Sequence, residues 1–342
     1  MCILAIESSC DESALALFDP SSGFKAEWIA SQVALQEHYG GVVPDLASRE
    51  HLRNLPLLLE EAMKHPAFAG LAAIAVTQGP GLAPALAMGI SFAQSLALLK
   101  HLPLYGVNHL RGHAFSPFIS SFEEDPHTFK ERLQELLPHL GLLVSGGNTL
   151  LFSIDEGLKL SIISQTLDDA AGEALDKGAR LLGLKYPGGP LIEKHALGGN
   201  PKLYAFPRAL QKDLSFSFSG LKTSLRYLLE KLPASDRESQ LADLCASYQA
   251  AVIDQLVQKT SLALGLKAFK SLGLSGGVAN NRLLRSQLSQ LSQEAKLPLL
   301  LAQPKHSGDN ASMIAFALYL DPVGAKLAPC LGLSSEPSLR LV

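Results

Sequence analysis

The feature that most constrains the fold is a strand–turn–strand pattern that occurs twice. The first copy spans residues 2–18, where two apolar segments flank the polar turn Glu7-Ser-Ser-Cys-Asp-Glu12. The second copy spans residues 141–154, where the turn Ser145-Gly-Gly-Asn148 separates two further apolar segments. Short apolar segments joined by polar and glycine residues predict β-hairpins. Two matching hairpins in one chain predict two lobes built on the same plan.

Helical patterns follow each hairpin. Apolar residues recur at helical spacing over residues 51–62, 167–182 and 241–264. Residues 271–285 have the pattern of a strand, a glycine-rich loop and a helix. Strands that alternate with helices predict an α/β fold. The charged segment 120–139 is the predicted connection between the lobes.

Composition limits the class of protein. The chain has 342 residues, of which 47% are hydrophobic and 18% are charged. Such a chain can bury a large core, which excludes intrinsic disorder, and its length favours two domains. The formal net charge of −3 differs from that of a protein dedicated to nucleic acid, which is usually basic. Any contact with RNA therefore requires a local patch or a partner.

Cysteine spacing and the apolar segments indicate the compartment. Cys2, Cys10, Cys245 and Cys330 are scattered without CxxC spacing, so neither a disulfide framework nor an oxidising compartment is expected. The N-terminus has no signal-peptide pattern. The longest apolar segment, residues 82–99, is interrupted by proline, glycine and polar residues, which predicts a buried helix and not a membrane span. We expect a cytoplasmic protein with no membrane partner.

Two Gly-Gly turns are candidates for phosphate binding. Ser145-Gly-Gly147 and Ser275-Gly-Gly277 each follow an apolar segment. Glycine lets backbone N–H groups approach phosphate oxygens, although one such turn is as often an ordinary tight turn. Two matched turns in duplicated halves favour a nucleotide. A further cluster, Tyr186-Pro-Gly-Gly-Pro190, predicts a rigid loop that is open to ligands.

A histidine pair suggests a metal site. His109 and His113 are four residues apart, and on a helix this spacing places both imidazoles on one face. The spacing alone is equally compatible with two unrelated surface histidines. Asp309 precedes a predicted helix, where it is either a third ligand or a helix N-cap. Leu110 occupies the position of the glutamate in a His-Glu-x-x-His protease, which disfavours a metallopeptidase.

Three acidic residues have both a functional and a structural interpretation. Asp11 and Glu12 lie in the first turn, where carboxylates can face a phosphate or its metal, although acidic turn residues are often only solvated. Asp176 shares a helical segment with Asp169, Glu173 and Lys177. It is compatible with a contact to a ribose hydroxyl, but the spacing favours surface ion pairs.

Taken in order, ten segments of the chain resemble the TsaD family, the tRNA threonylcarbamoyladenosine transferases once called glycoprotease-like proteins. Each segment is weakly specific, but together they cover nearly the whole chain. They are Glu7-Ser-Ser-Cys-Asp-Glu12, Gly40-Gly-Val-Val-Pro-Asp-Leu-Ala-Ser-Arg49, Gly79-Pro-Gly-Leu82, His109-x-x-x-His113, Val144-Ser-Gly-Gly147, Asp168-Asp-Ala-Ala-Gly-Glu-Ala-Leu-Asp-Lys177, Tyr186-Pro-Gly-Gly-Pro190, Phe216-Ser-Phe-Ser-Gly-Leu-Lys222, Gly276-Gly-Val278 with Asn281-Arg282, and Asp309-Asn310.

The resemblance implies an actin-like ATPase (ASKHA) fold, in which two ribonuclease-H-like α/β lobes flank a central cleft. Lobe I is then expected at residues 1–119, with the C-terminal segment from about residue 310 to 342 packing back on it. The connector is expected at residues 120–139 and lobe II at residues 140–309.

The resemblance also implies the ligands. One divalent metal ion is expected on His109, His113 and Asp309, with Fe²⁺ as the usual metal of the family and Zn²⁺ or Mg²⁺ as alternatives. Asp11 and Glu12 match the acidic pair of the family's first loop and are the expected catalytic residues. The adenine nucleotide is expected to contact Leu143, Val144, Ser145, Gly146, Gly147, Asp176, Gly189 and Asn281.

The activity implied is transfer of a threonylcarbamoyl group from threonylcarbamoyl-AMP to the adenosine at tRNA position 37. This adenosine lies next to the anticodon of tRNAs that read codons beginning with A. The expected partners are tRNA and TsaB-like and TsaE-like proteins. Two alternatives stay open: a small-molecule kinase of the same fold, and a non-catalytic scaffold subunit of the same complex.

The chain departs from the family pattern at several positions. Arg111 lies between the histidines, where bacterial members often have glutamate, and Asn148 replaces a common histidine. Leu143 stands where archaeal members have a tyrosine that is an extra metal ligand, and Ala279-Asn280 replaces the common Ser-Ala. These differences leave open how many protein groups hold the metal.

Overall fold

The computed structural model describes residues 2–329 and 331–342. Cys330 lies outside these ranges, and within them Cys2, Cys10 and Cys245 are free thiols. The elements of the N-terminal part are β1 (Cys2–Glu7), β2 (Glu12–Asp19), β3 (Gly23–Ser31), α1 (Val33–Glu37), α2 (Pro44–Met63), β4 (Leu71–Gly79), α3 (Ala83–Lys100), β5 (Leu104–Asn108), α4 (His109–Phe115), α5 (Ile119–Glu124) and α6 (Phe129–Leu136).

The remaining elements follow in chain order, and short 3₁₀ turns connect some of them. They are β6 (His139–Val144), β7 (Thr149–Ile154), β8 (Leu160–Gln165), α7 (Ala171–Leu181), α8 (Gly188–His195), α9 (Ser219–Lys231), α10 (Ala234–Ser239), α11 (Leu241–Leu264), β9 (Ser271–Ser275), α12 (Arg282–Ala295), β10 (Leu299–Leu301), α13 (Pro304–Ser307), α14 (Ala311–Leu320) and β11 (Lys326–Ala328).

The chain divides into two compact units, and the first comprises Met1–Glu135 and Ala302–Val342. Its sheet has the strand order β11-β5-β4-β1-β2-β3. Strand β1 pairs antiparallel with β2, which confirms the first predicted hairpin, and parallel with β4. All six residues of β1 are buried, because α2, α3 and α14 pack on the sheet. A nearly continuous apolar strand such as residues 2–6 is expected where both faces of a sheet are covered.

An aromatic cluster ties α5 and α6 to the first unit. Phe122 and Phe129 are fully buried, and their ring centroids lie 5.3 Å apart. Phe122 also packs against Phe18 of β2 and Phe316 of α14, each at 5.5 Å. Each buried aromatic ring contributes about 2–3 kcal/mol. This burial holds the first part of the charged segment 120–139 against the first unit, whereas residues 136–139 belong to the second.

The second unit comprises Leu136–Leu301, and its sheet has the order β10-β9-β6-β7-β8. Strands β6 and β7 form the second predicted hairpin, and β9 runs parallel to β6. Segment 271–285 is confirmed as strand, turn and helix. In each unit a three-stranded antiparallel meander continues into two parallel strands, so β5-β4-β1-β2-β3 and β10-β9-β6-β7-β8 are the same arrangement. The duplicated α/β plan expected from the hairpins is therefore present.

The predictions for the apolar segment 82–99 and for the loop 186–190 agree with the structure in part. Helix α3 forms where a buried helix is predicted, and among the described residues it alone is long and apolar enough to cross a membrane. One face, with Leu86 and Ile90, lies in the core, while Leu98 and Leu99 are exposed. The loop prediction for residues 186–190 is wrong in part, because α8 begins at Gly188.

Candidate active site

Three neighbouring parallel strands of the first unit end at the same edge of the sheet. Strand β1 ends at Glu7, β4 at Gly79 and β5 at Asn108. Ligands of α/β proteins bind outside the carboxyl ends of such strands. Helix α4 begins immediately after β5, so its first residue, His109, lies at this edge.

A capping interaction fixes the start of α4. The side-chain oxygen of Asn108 accepts hydrogen bonds from the backbone N–H groups of Leu110 (2.8 Å) and Arg111 (3.3 Å). Its amide nitrogen donates to the carbonyl of Arg340 at 2.6 Å. A cap of this type satisfies backbone donors that the helix leaves unpaired. The helix inferred from the histidine spacing is therefore confirmed, and the cap ties it to the C-terminal segment.

The structure brings the two histidines and Asp309 together. The rings of His109 and His113 have centroids 4.7 Å apart. Oδ1 of Asp309 lies 3.2 Å from Nε2 of His113 and 3.4 Å from Nε2 of His109. One ligand atom from each residue lies within 4.8 Å of the others. We call these three residues the His–Asp cluster.

The alternative role of Asp309 as a helix cap is taken by its neighbour. Asn310 caps α14, since its side-chain oxygen accepts a hydrogen bond from the N–H of Met313 at 2.8 Å. Asp309 is thus available to the histidines. Two imidazole nitrogens and one carboxylate oxygen are a suitable donor set for a divalent transition metal, and such a site leaves positions open for a substrate. The donor set fits the expected cation.

The charges around the cluster favour a cation. Burial lowers the pKa of His109, but the carboxylates of Asp309 and Glu7 outweigh this effect and raise it to about 10. Burial raises the pKa of Asp309, whereas the two histidines lower it to well below its usual range. Burial is also the main cause that lowers the pKa of His113. Positive charge is therefore stabilised between the carboxylates, and a bound metal ion would displace the proton of His109 Nε2.

Glu12, the second acidic residue of the first turn, has a carboxyl group whose two oxygens differ in environment. Oε1 of Glu12 accepts a hydrogen bond from Ser31 Oγ at 2.8 Å, while Oε2 is buried with no hydrogen-bond partner among the described residues. Burial is the largest cause that raises the pKa of Glu12 to about 7, and the charges of Asp11 and Asp309 add to it. Such a carboxyl exchanges protons near neutral pH, as a general base requires. Glu12 therefore suits this role.

The cysteine of the same turn is not activated. Burial, together with the charges of Asp11 and Asp309, raises the pKa of the Cys10 thiol well above its usual value. A thiol is a nucleophile only as the thiolate.

Glu7 and His51 also belong to this site, and the sequence interpretation missed both. Glu7 is fully buried and lies 3.1 Å from Nδ1 of His109. Buried His51 holds the first turn, with Nδ1 at 2.7 Å from Ser13 Oγ and Nε2 at 2.9 Å from the carbonyl of Cys10. A glutamate at the end of an otherwise apolar strand was an available signal, because a buried carboxylate needs partners.

Arg111, one of the departures from the family pattern, has a structural role. Its guanidinium forms an ion pair with Asp321, and its Nε donates to the carbonyl of Leu341 at 3.3 Å. These contacts join α4 to the residue after α14 and to the C-terminal segment. Arg111 is thus engaged outside the His–Asp cluster.

In the second unit, the two Gly-Gly turns lie side by side. Strands β6 and β9 are parallel neighbours, with Leu143 opposite Ser275, so both turns follow adjacent strand ends. Gly276 has a φ of +90°, and a Cβ there would strike the backbone carbonyl of Val144. Gly146 has open space at the equivalent point. The first turn is therefore accessible, while the second requires glycine for packing.

The first turn is ordered by its own hydrogen bonds. The N–H of Ser145 donates to the carbonyl of Asn148 at 2.8 Å, and the N–H of Asn148 donates to Ser145 Oγ at 3.1 Å. Gly146 and Gly147 between them are exposed. Leu143 and Val144 are completely buried strand residues, so any ligand contact there involves their backbone.

Two other predicted nucleotide contacts have internal partners. Oδ1 of Asp176 accepts hydrogen bonds from the N–H groups of Gly188 (2.7 Å) and Gly189 (3.2 Å), which is why α8 begins there. Asn281 is only 6% exposed and caps α12 through the N–H of Leu284 at 3.0 Å. Their contact with a nucleotide stays a prediction.

The other charged residues of the α7 segment form the ion pairs that their spacing favours. Lys177 Nζ lies 2.6 Å from Asp169 and 3.0 Å from Glu173. The surface-pair interpretation of these three residues is confirmed, and Asp176 takes no part in it.

Comparison with known proteins is consistent over nearly the whole chain. A family model described as tRNA N6-adenosine threonylcarbamoyltransferase, TsaD, matches residues 24–316. The protein of that name from Trichlorobacter lovleyi is 44% identical over 321 residues, which cover 93% of this chain and 90% of the relative. The one from Moorella thermoacetica is 43% identical over 343 residues, which cover 99% and 97%.

Solved structures with low sequence identity share the fold. Full-length HypF in a phosphate- and nucleotide-bound form aligns with a TM-score of 0.61 at 13% identity, covering 94% of this chain and 46% of HypF. Component A of (R)-2-hydroxyglutaryl-CoA dehydratase from Acidaminococcus fermentans gives 0.50 at 15% identity, covering 94% and 99%. These neighbours confirm the actin-like ATPase fold. With the family model and the curated relatives, they establish that this chain belongs to the tRNA N6-adenosine threonylcarbamoyltransferase (TsaD) family.

Proposed function

We propose that the protein transfers the threonylcarbamoyl group of threonylcarbamoyl-AMP to N6 of adenosine 37 in tRNAs that read codons beginning with A. The observation that carries this proposal is the His–Asp cluster at the strand edge in a member of this family. The charge of Asp309 in this cluster also acts on the carboxyl of Glu12. A carboxyl with a pKa of about 7 and a cation-binding donor set are the two groups that such a transfer needs.

His109, His113 and Asp309 would hold one divalent cation. The two imidazoles favour Fe²⁺ or Zn²⁺ over Mg²⁺, which prefers oxygen ligands. When bound, the ion supplies a Lewis acid that polarises an oxygen of the donor, an effect worth several kcal/mol. The protein keeps the cluster in place through the cap of α4 and through the cap of α14.

Glu12 accepts the proton of the attacking amine. The exocyclic amine of adenosine is a weak nucleophile, so loss of its proton during attack lowers the barrier. The new C–N bond forms while the bond between the carbamoyl carbon and the phosphate oxygen breaks, and AMP leaves with that electron pair. Asp11, whose backbone carbonyl accepts a hydrogen bond from the N–H of Gln32 at 3.0 Å, helps to keep the Glu12 carboxyl partly protonated through its charge.

The AMP part of the donor binds to the second unit. Exposed Gly146 and Gly147 allow the close approach of phosphate oxygens. The proposed adenylate contacts are the backbone of residues 143–147 with Asp176, Gly189 and Asn281. Orientation of the leaving group supplies proximity, a major part of catalysis in group transfer. We assign lobe I to the first compact unit and lobe II to the second, which moves residues 120–135 of the expected connector and residues 302–309 of the expected lobe II into lobe I.

The charge distribution supports a tRNA substrate. The second unit has 18 Lys and Arg against 14 Asp and Glu, whereas the first has 11 against 18. Phosphate contacts dominate affinity for nucleic acid, so we assign tRNA binding mainly to the second unit. The excess is small, which fits shared binding with TsaB-like and TsaE-like partners in the cytoplasm.

Transfer from purified threonylcarbamoyl-AMP to unmodified tRNA tests the proposal, with mass spectrometry of the nucleosides as the readout. Wild-type protein with its partners is expected to produce the modified adenosine, and His113→Ala is expected to lose this activity. His127→Ala, a change at an exposed histidine, serves as the control. ATP-dependent phosphorylation of a small alcohol without tRNA modification would instead support the kinase alternative. Full transfer by His113→Ala without bound metal would remove the proposed site.

A further inference from the structure

Glu7 is a fully buried carboxylate at the end of β1 with three hydrogen-bond donors around it. Oε1 accepts from the N–H of Ser9 at 2.5 Å, and Oε2 lies 2.5 Å from Thr77 Oγ1 and 3.1 Å from His109 Nδ1. A buried charge is tolerated only where it is paired and hydrogen-bonded. The environment of Glu7 meets this requirement through residues of three different strands or strand ends.

Both carboxyl oxygens of Glu7 face hydrogen-bond donors. The backbone N–H of Ser9 can only donate, so Oε1 acts as an acceptor. Oε2 accepts from the hydroxyl of Thr77. A hydrogen on Nδ1 of His109 completes the contacts of Oε2, whereas a lone pair on Nδ1 would face the lone pairs of the carboxyl oxygen.

This hydrogen bond determines which nitrogen of His109 is free. Nδ1 carries its hydrogen towards Glu7, with Ser9 Oγ at 3.2 Å as a second neighbour. When a bound metal ion displaces the proton of Nε2, the neutral imidazole keeps its one N–H on Nδ1 and presents its lone pair at Nε2. Nε2 is the nitrogen that lies 3.4 Å from Oδ1 of Asp309.

The second histidine has no equivalent support. Nε2 of His113 lies 3.2 Å from Oδ1 of Asp309, but its buried Nδ1 has no hydrogen-bond partner among the described residues. Within the His–Asp cluster, only His109 is therefore held by a carboxylate behind it. A carboxylate that accepts from the far nitrogen of a metal-binding histidine orients the ring and raises its basicity.

We propose that Glu7 is a positioning residue for the cation site. It holds His109 as the Nδ1–H tautomer, aims Nε2 at the site and strengthens it as a ligand. The inference rests on the proposed function of the His–Asp cluster and extends it to Glu7, a residue outside the cluster at the end of β1.

The test is the affinity of the purified protein for Co²⁺, measured by competition with a chelator. The visible spectrum of protein-bound Co²⁺ reports which ligands hold the ion. Glu7→Gln is expected to bind Co²⁺ about 10- to 100-fold more weakly than wild type, while still binding one ion per chain. Asp19→Asn is the control. Asp19 is a carboxylate of the same unit at the opposite end of β2 from Glu12, and it accepts from the N–H of Ser21 at 2.9 Å. Its change is expected to leave Co²⁺ affinity unaltered.

A second readout separates positioning from general stability. In Zn²⁺-loaded protein labelled with ¹⁵N-histidine, wild-type His109 is expected to show a protonated Nδ1 and a Zn²⁺-bound Nε2. In Glu7→Gln the Nδ1–H signal is expected to broaden or shift, because an uncharged amide replaces the carboxylate that accepts from it. If Glu7→Gln does not fold, Thr77→Val removes one hydrogen bond to Oε2 and is expected to change both readouts in the same direction by a smaller amount.

The results distinguish the positioning role of Glu7 from the existence of the cation site. Unchanged Co²⁺ affinity and an unchanged His109 tautomer in folded Glu7→Gln, or in Thr77→Val if that is the variant that folds, would overturn the positioning role and leave the cation site intact. Zn²⁺ on Nδ1 of His109 would overturn it as well. Absence of Co²⁺ binding in wild type, or binding that His113→Ala leaves unchanged, would instead reject the cation site itself, and the role of Glu7 with it.

Discussion

Oδ1 of Asp309 lies 3.2 Å from Nε2 of His113, across a sequence separation of 196 residues. The contact joins the loop before α14 to α4. Asn310, beside Asp309, caps α14, and Asn108, five residues before His113, caps α4. Both caps fix the backbone from which the two side chains project.

Asp309→Asn is expected to reduce kcat/KM for tRNA modification by at least about 100-fold, which corresponds to about 2.7 kcal/mol of transition-state stabilisation. An amide keeps the size of the side chain but removes its charge and weakens cation binding. Steady-state kinetics and metal content of the variant check this. Wild-type kinetics in a variant that binds less than one metal ion per chain would contradict the catalytic role of the cation.

The raised pKa of Glu12 predicts how the rate of the reaction depends on pH. Its pKa of about 7 lies above the ordinary value of a carboxyl, and the ionised form is the base. The value of kcat/KM should therefore rise with pH and level off above about 7. Glu12→Gln should lose this rise and about 10²- to 10⁴-fold of the rate. A pH profile of Glu12→Gln that matches wild type would assign the base elsewhere.

Asn108→Ala should destabilise the protein by about 1–2 kcal/mol, because it removes the N-cap of α4. Asn281→Ala removes a comparable cap from α12 in the second unit and is the matched control. Both variants should lose stability in urea unfolding, but only Asn108→Ala should also lower Co²⁺ affinity. Equal affinities in both would show that the cap does not hold the histidines.

His306 predicts a loss of stability in acid. Burial is the main cause that lowers its pKa from 6.5 to about 4, with the charge of Lys305 as a second cause. The unfolded chain binds the proton first, so folding stability is complete above pH 6.5 and falls as pH decreases towards 4. Because of this residue, the free energy of unfolding is expected to fall by about 1.4 kcal/mol for each pH unit in this range. Urea unfolding at several pH values should show a smaller slope for His306→Leu, and equal slopes would contradict the assignment.

Gly276→Ala should be far more destabilising than Gly146→Ala. The first change places a Cβ against the carbonyl of Val144 at a φ of +90°, with an expected cost of about 1–3 kcal/mol. The second enters open space and should leave the melting temperature unchanged. If the first turn binds phosphate, Gly146→Ala should weaken binding of AMP. Similar melting temperatures for the two variants would show that the second turn relaxes.

The hairpins, the long helices and the shared face of His109 and His113 were predictable from local spacing. Hairpins β1–β2 and β6–β7 follow from two apolar segments around a polar turn, and α11 begins and ends at the predicted residues. The start of α8 was not predictable, since it depends on Asp176, which is distant in sequence. Asn281 matched the family pattern, but its capping of α12 was visible only in the structure.

Periodicity and spacing in the sequence determined the elements and the duplicated α/β plan, because backbone geometry repeats over a few residues. Which side chains meet was decided by tertiary structure. Glu7 reaches His109 over 102 residues of sequence, and Glu12 acquires its pKa of about 7 only when folding removes its carboxyl from water. Contacts and burial of this kind depend on the packing of strands and helices that are far apart in the chain, and no local pattern encodes them.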